Sequence, residues 1–193
     1  MKLIDGLWWP DTDETARPAI TWDSRISIPK VCTYVKDFNC VIQAGGNVGV
    51  YPIALATYFD RVLSFEPDYA NYECLERNVG LNPKIQIERA ALGADIGTCR
   101  IEIVEENNCG AHKIVQGGDT PVLTIDDLGL SHCDLIWLDI EGHEAKAIDG
   151  ARATIEKFSP IIVLEEKGLG DLASLPGYRR LDRIGNDTVY WRG

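Results

Sequence analysis

The sequence predicts an α/β domain: a doubly wound, mainly parallel seven-stranded sheet with an antiparallel edge. Three observations carry that reading. Short apolar runs alternate with stretches of helical periodicity, the pattern of a parallel sheet whose connections cross over its faces. Five of those runs lack the apolar–polar alternation of a one-sided strand, so each is buried on both faces. Near the C-terminus the pattern changes to two short runs, Tyr178–Ile184 and Thr188–Arg192, around the turn signal Gly185-Asn186-Asp187. Those two form an antiparallel pair that closes one edge.

In chain order, residues 1–40 form an N-terminal extension with Trp8, Trp9, Trp22 and Tyr34. Their aromatic faces either stack on a flat ligand or pack the extension onto the sheet. The first strand is Val41–Ala44, ending in Gly45-Gly46, and the helical pattern Val48–Tyr58 follows. Arg61–Phe65 is the second strand, stopped by Glu66-Pro67. Asn71–Asn78 then reads as helix, with Cys74, Leu75 and Val79 at helical spacing. Ile85–Ala90 is the third strand, Ile101–Val104 a short edge strand, and Asn107–Asp119 a loop. Asp134–Asp139 and Ile161–Glu165 supply the fourth and fifth strands. Between them, His143–Phe158 carries Ala145, Ile148, Ala151 and Ile155 along one helical stripe, with Gly150 as its weak point.

Composition excludes several classes. Nineteen Lys+Arg against thirty Asp+Glu leave a net charge of −11 on 193 residues. That sign argues against gripping a nucleic-acid backbone over many phosphates, and against anionic membrane surfaces. The uncharged stretch 41–59 holds Gln43, Asn47, three glycines and Pro52, a poor membrane span. The N-terminus reaches Asp5 and Pro10 without a long apolar core, unlike a signal peptide. Six scattered cysteines without a CxxC pair are expected to be reduced thiols, hence a cytoplasmic protein. Three histidines with no paired Cys–His spacing give no zinc site.

The turn after the first strand, Gln43-Ala44-Gly45-Gly46-Asn47-Val48-Gly49, runs straight into a helix. It lacks the third glycine of a dinucleotide fingerprint and the Gly-Lys-Ser/Thr of a Walker loop. A tight G-x-N-x-G turn survives, either a ligand cradle or a plain strand-to-helix connection. Glu66 ends the second strand about twenty residues on, where a carboxylate accepts hydrogen bonds from both hydroxyls of a ribose. The alternative is that Glu66 caps the next helix.

From Val41 through Gly168 the chain resembles the FkbM family of S-adenosylmethionine-dependent methyltransferases, within the Rossmann-like class. The resemblance rests on QAGGNVG, on SFEP at Ser64–Pro67 with YECLERNVGLN behind it, and on RAALG at Arg89–Gly93. PVLTIDDL at Pro121–Leu128 and DLIWLDIEGHEAKAIDGA at Asp134–Ala151 complete it. It implies a methyltransferase domain over 41–193, with the extension 1–40 packing on or near the acceptor site. It also implies that S-adenosylmethionine is held by Gln43, Gly45, Gly46, Asn47, Gly49, Glu66, Pro67 and Asp139, with Ala91 and Leu92 bordering the adenine. At Gln43 the chain departs from the family, where an acidic residue is usual. The implied acceptor is a hydroxyl on a sugar or related small metabolite.

Asp139-Ile140-Glu141-Gly142-His143-Glu144 sits at the carboxyl end of the fourth strand, where an open parallel sheet binds ligands. Glu165 ends the fifth strand and Glu166 follows it. Methyl transfer to an alcohol needs orientation and removal of one proton, so Asp139, Glu141, His143 and Glu165 are the candidate catalytic groups. His143 is either the base or part of an acidic first turn that caps the helix. Asp139, Glu141 and Glu165 also present hard oxygens suited to a divalent metal, though no metal ligand is assigned. Methylation of nitrogen or nucleic acid, and a non-catalytic binding module of the same fold, are the alternatives. The charge weakens the nucleic-acid version, and Gln43 favours the module.

Overall fold

The computed structural model describes residues 1–165 and 175–193. The chain opens with a hairpin, β1 (Lys2–Ile4) and β2 (Leu7–Trp9), then the helix α1 (Ala16–Cys32). The central alternation is β3 (Cys40–Ala44), α2 (Val50–Leu55), β4 (Arg61–Phe65), α3 (Tyr69–Val79) and β5 (Ile85–Glu88). Four strands follow: β6 (Ala91–Leu92), β7 (Gly97–Ile103), β8 (His112–Gln116) and β9 (Thr120–Leu123). The chain then returns through β10 (Leu135–Leu138), α4 (Glu144–Asp149), α5 (Arg152–Phe158) and β11 (Ile161–Glu165). It ends in the hairpin β12 (Tyr178–Ile184) and β13 (Asp187–Arg192).

Seven strands form a mixed sheet in the order β12-β13-β11-β10-β3-β4-β5. The run from β11 to β5 is parallel, as the apolar runs predict, and β13 is antiparallel to both β11 and β12. The antiparallel strand is therefore one place in from the edge, and β12 outside it runs with the majority. Side chains alternate between two cores, as strand geometry requires. Ile42, Leu63, Ile136 and Ile162 meet Ala147, Ile148 and Ile155 of α4 and α5 on one face. Val41, Val62, Trp137 and Val163 meet Ile28 and Val31 of α1 and Leu55 of α2 on the other.

Three expectations need correcting. Ile101–Val104 is not an edge of the main sheet: its first three residues end β7 of a separate four-stranded sheet, ordered β6-β9-β7-β8. Within Asn107–Asp119, read as loop, lies β8, paired antiparallel with β7. The helix His143–Phe158 is two helices, broken at Gly150. A Cβ there would lie 2.0 Å from the Gly93 carbonyl oxygen, so only glycine lets the two segments touch. Asp126 takes advantage of the break, its carboxylate accepting the Ala153 and Thr154 amides at 3.0 and 2.7 Å.

The N-terminal aromatics divide by position. Trp9 is fully buried, in a third core with Ala16, Val48, Cys74 and Cys109. Trp8 lies under the Arg77 guanidinium, 5.3 Å from ring to charge, and Trp22 is exposed. Tyr34 donates to Asp182 at 2.5 Å. All six cysteines are free and buried. Among the described residues no helix is long and apolar enough to cross a membrane.

Candidate active site

Strand β3 has β4 on one side and β10 on the other, so the connections leave it in opposite directions. A crevice opens at the carboxyl ends where the order reverses. A cleft of about 500 Å3 occupies that place. Gly45–Asn47, Glu66–Asp68, Asp139–Glu141 and Glu165 line it, with Tyr51 of α2 and Thr15, Ala16, Ala19 and Ile20 at the start of α1.

Close approach dictates the first turn. Gly45 has φ +83°, and a Cβ on it would lie 1.9 Å from the Asp139 carbonyl oxygen. Both glycine amides donate to the Phe65 carbonyl, Gly45 at 3.1 Å and Gly46 at 2.9 Å, tying the turn to the end of β4. Gln43 is buried beneath them. Its Nε2 donates to the Gly45 carbonyl at 2.8 Å and its Oε1 accepts the Ser64 hydroxyl at 2.6 Å. The amide is thus spent within the protein, and Gln43 does not line the cleft. A carboxylate could not donate to the Gly45 carbonyl, which accounts for an amide in place of an acid here.

Asn47 follows with φ +46°. Its backbone amide donates to Glu66 Oε2 at 2.6 Å, while the Asp68 amide donates to Oε1 at 2.9 Å. Each carboxylate oxygen keeps lone pairs for a ligand. Burial pushes the Glu66 carboxyl up to about 7, against the pull of those two amides. Capping of α3 falls instead to Asp68, whose Oδ1 accepts the Asn71 amide at 2.9 Å. The loop after β7 packs against this same side of the cleft: the Cys109 carbonyl accepts from Asn47 Nδ2 at 2.9 Å and from Asn71 Nδ2 at 2.8 Å.

The other end of the cleft is acidic. Asp139, Glu141 and Glu165 bring one oxygen each within 4.8 Å of one another, a spacing that suits a divalent cation. Behind them stand Asp187, at the start of β13, and Asp23 of α1, which accepts the Tyr51 hydroxyl at 2.6 Å. Asp139 is open to the cleft, yet protein surrounds it otherwise. That desolvation, and then Glu165, Asp187 and Glu141, raise its carboxyl well above the ordinary range. Burial, then Asp23 and Glu165, push Asp187 up to about 7.

Other expected residues lie elsewhere. His143 occupies the N-cap position of α4 with its ring against Gly93, outside the cleft lining. Burial, then Lys146, holds its pKa below the usual imidazole value. Glu144 clasps the loop before α4, its Oε1 accepting the Ile140 and Gly142 amides at 3.0 and 3.3 Å. Ala91 and Leu92 are buried in β6, and Gly49 caps α2; none of the three lines the cleft. Pro67 does line it, and Glu166 lies outside the described residues. Sequence reasoning missed Asp68, His112, Tyr51 and Asp187. Asp68 alone carried a local signal, an Asp three residues before Asn71 at a helix start.

A glycine turn, a strand-end carboxylate and an acidic switch point on this sheet describe a methyltransferase fold. Comparison makes the family definite: residues 43–173 match the methyltransferase FkbM domain, and the chain belongs to that family. The structure is similar to a methyltransferase FkbM from Methylobacillus flagellatus, at 20% identity and TM-score 0.61, over 87% of this chain. The chain spans 47% of that protein's length. It is also similar to yhhF, a candidate methyltransferase from Escherichia coli, at 14% identity and TM-score 0.53, over 96% of this chain and 90% of that one. No curated protein matches the sequence.

Proposed function

We propose that the chain is an S-adenosylmethionine-dependent O-methyltransferase acting in the cytoplasm on a hydroxyl of a sugar or related small metabolite. One observation carries the cofactor assignment. Glu66, fixed by the Asn47 and Asp68 amides, stands in the same cleft as the Gly45 turn and Asp139. That set suits a molecule with a ribose diol at one end and cationic groups at the other. Glu66 would take the ribose hydroxyls, Gly45 to Asn47 would border the amino-acid portion, and Asp139 would face the positive end. The cofactor supplies a methyl carbon made electrophilic by a cationic sulfur.

The chain's own task is to hold the acceptor oxygen in line and take its proton. We assign that proton to the Asp139–Glu165 pair rather than to His143, because both carboxylates line the cleft and His143 does not. The raised pKa of Asp139 brings a carboxylate closer to neutrality, as proton transfer prefers. The first residues of α1 border the same cleft, which supports a place for the extension beside the acceptor.

Calorimetry with S-adenosylhomocysteine tests the cofactor. Glu66→Ala should weaken binding by about 1–3 kcal/mol, the range for lost charge-assisted hydrogen bonds. Unchanged affinity would place the ribose elsewhere. For chemistry, Asp139→Asn should cut turnover on the order of 10²–10⁴ while His143→Ala stays near wild type. Activity that a chelator abolishes and magnesium restores would instead make Asp139, Glu141 and Glu165 ligands of a metal that acidifies the hydroxyl.

A further inference from the structure

His112 begins β8, an edge strand of the four-stranded sheet, and lines the cleft beside Glu66 and Asp68. Its two ring nitrogens face different surroundings. Nδ1 lies 3.2 Å from Asp68 Oδ2, near enough for an ion pair but not aligned as a hydrogen bond. Nε2 has no hydrogen-bond partner among the described residues. The arrangement is a relay in space. Asp68 caps α3 with one oxygen and holds the histidine with the other, while its amide donates to the ribose-facing carboxylate Glu66.

We infer that His112 is a cofactor-contacting residue: Asp68 orients its ring, and Nε2 hydrogen-bonds the adenosyl group that Glu66 grips. The inference rests on the cofactor reading above. Two further features fit it. The backbone around His112 is pinned to the cofactor side of the cleft, because nearby Cys109 accepts from both Asn47 and Asn71. Asp68, and then Glu66, also favour the charged ring, against the effect of burial, and the charged ring carries a hydrogen on Nε2.

Two isosteric replacements separate a ligand contact from mere anchoring. The amide of Gln reaches the position of Nε2, and that of Asn the position of Nδ1. His112→Ala should weaken S-adenosylhomocysteine binding about three- to tenfold, the loss of one hydrogen bond. His112→Gln should recover most of that affinity and His112→Asn little of it. Rescue by Asn and not Gln would make His112 an anchor for the β7–β8 hairpin only and overturn the inference. Wild-type affinity in His112→Ala would overturn it too, and if that variant does not fold, the Gln and Asn pair decides. Loss of binding in Glu66→Ala with none in His112→Ala refutes this contact while leaving the cofactor reading intact. Failure of the wild-type protein to bind S-adenosylhomocysteine refutes both.

Discussion

Gln43 is buried beneath the turn and offers nothing to the cleft: its nitrogen donates to the Gly45 carbonyl and its oxygen accepts from Ser64. Gln43→Asp would bury a shorter carboxylate that cannot donate to the Gly45 carbonyl. It would leave that acceptor unmet and bring a charge into the core beneath the turn. We expect it to lower stability by about 1–3 kcal/mol in urea denaturation and to weaken cofactor binding through the displaced turn. Tighter binding by Gln43→Asp would mean that the missing acid, not the amide, is what the site wants. Glu66 was legible because its spacing from the glycine turn reports a physical relation: two adjacent parallel strands end level, turn beside carboxylate. Asp187 was not. Within Gly185-Asn186-Asp187 it reads as a turn residue, and only the pairing of β13 with β11 sets it opposite Glu165.

Among the elements, those whose residues are buried on both faces were the ones the sequence made plain. Arg61–Phe65 and Ile161–Glu165 match their strands because apolar residues occupy both faces of the run, and every position after the first is buried, Ser64 of β4 included. Strand β8 has no such run. Its five residues, HKIVQ, are half-buried or exposed and gain their identity from the ladder with β7. Helix α1 was hidden for other reasons. It holds Pro29 in its interior and exposes Trp22 and Ile26, so its apolar residues do not fall on one stripe. The break between α4 and α5 was foreshadowed by Gly150, but the cap on the helix that restarts after it comes from the distant Asp126. Asp126→Ala should therefore cost about 1–2 kcal/mol of stability, the usual loss for a helix cap, with cofactor affinity unchanged. A stability change below a few tenths of a kcal/mol would show that the Ala153 and Thr154 amides find water instead.

For the molecule as a whole, the site is assembled from carboxylates that lie far apart in the chain: Asp23, Glu66, Asp139, Glu165 and Asp187. Their convergence sets the direction of the pH dependence of stability. Glu66 and Asp187 are pushed up to about 7 in the folded protein from ordinary values of 4.5 and 3.8. Below about pH 4 both states hold these protons and nothing is lost. As pH rises towards 7 the unfolded chain ionises first while the folded chain keeps its protons, so stability falls across that window. Asp139 and Glu144 are raised in the same sense. His112 adds to it: its raised pKa gives stability present below its ordinary 6.5 and lost as pH rises through the folded value. His143, depressed by burial, works the other way, and one imidazole does not outweigh the carboxylates. The unliganded protein should therefore melt several degrees higher at pH 5.5 than at pH 8, since about 1 kcal/mol moves the midpoint about 2–4 °C at this size. Asp187→Asn should raise the midpoint at pH 8 and narrow the gap, because it removes a charge that burial, Asp23 and Glu165 all oppose. A midpoint that is flat across this range, or that drops on acidification to pH 5.5, would mean the cluster is solvated enough to ionise at its ordinary pH.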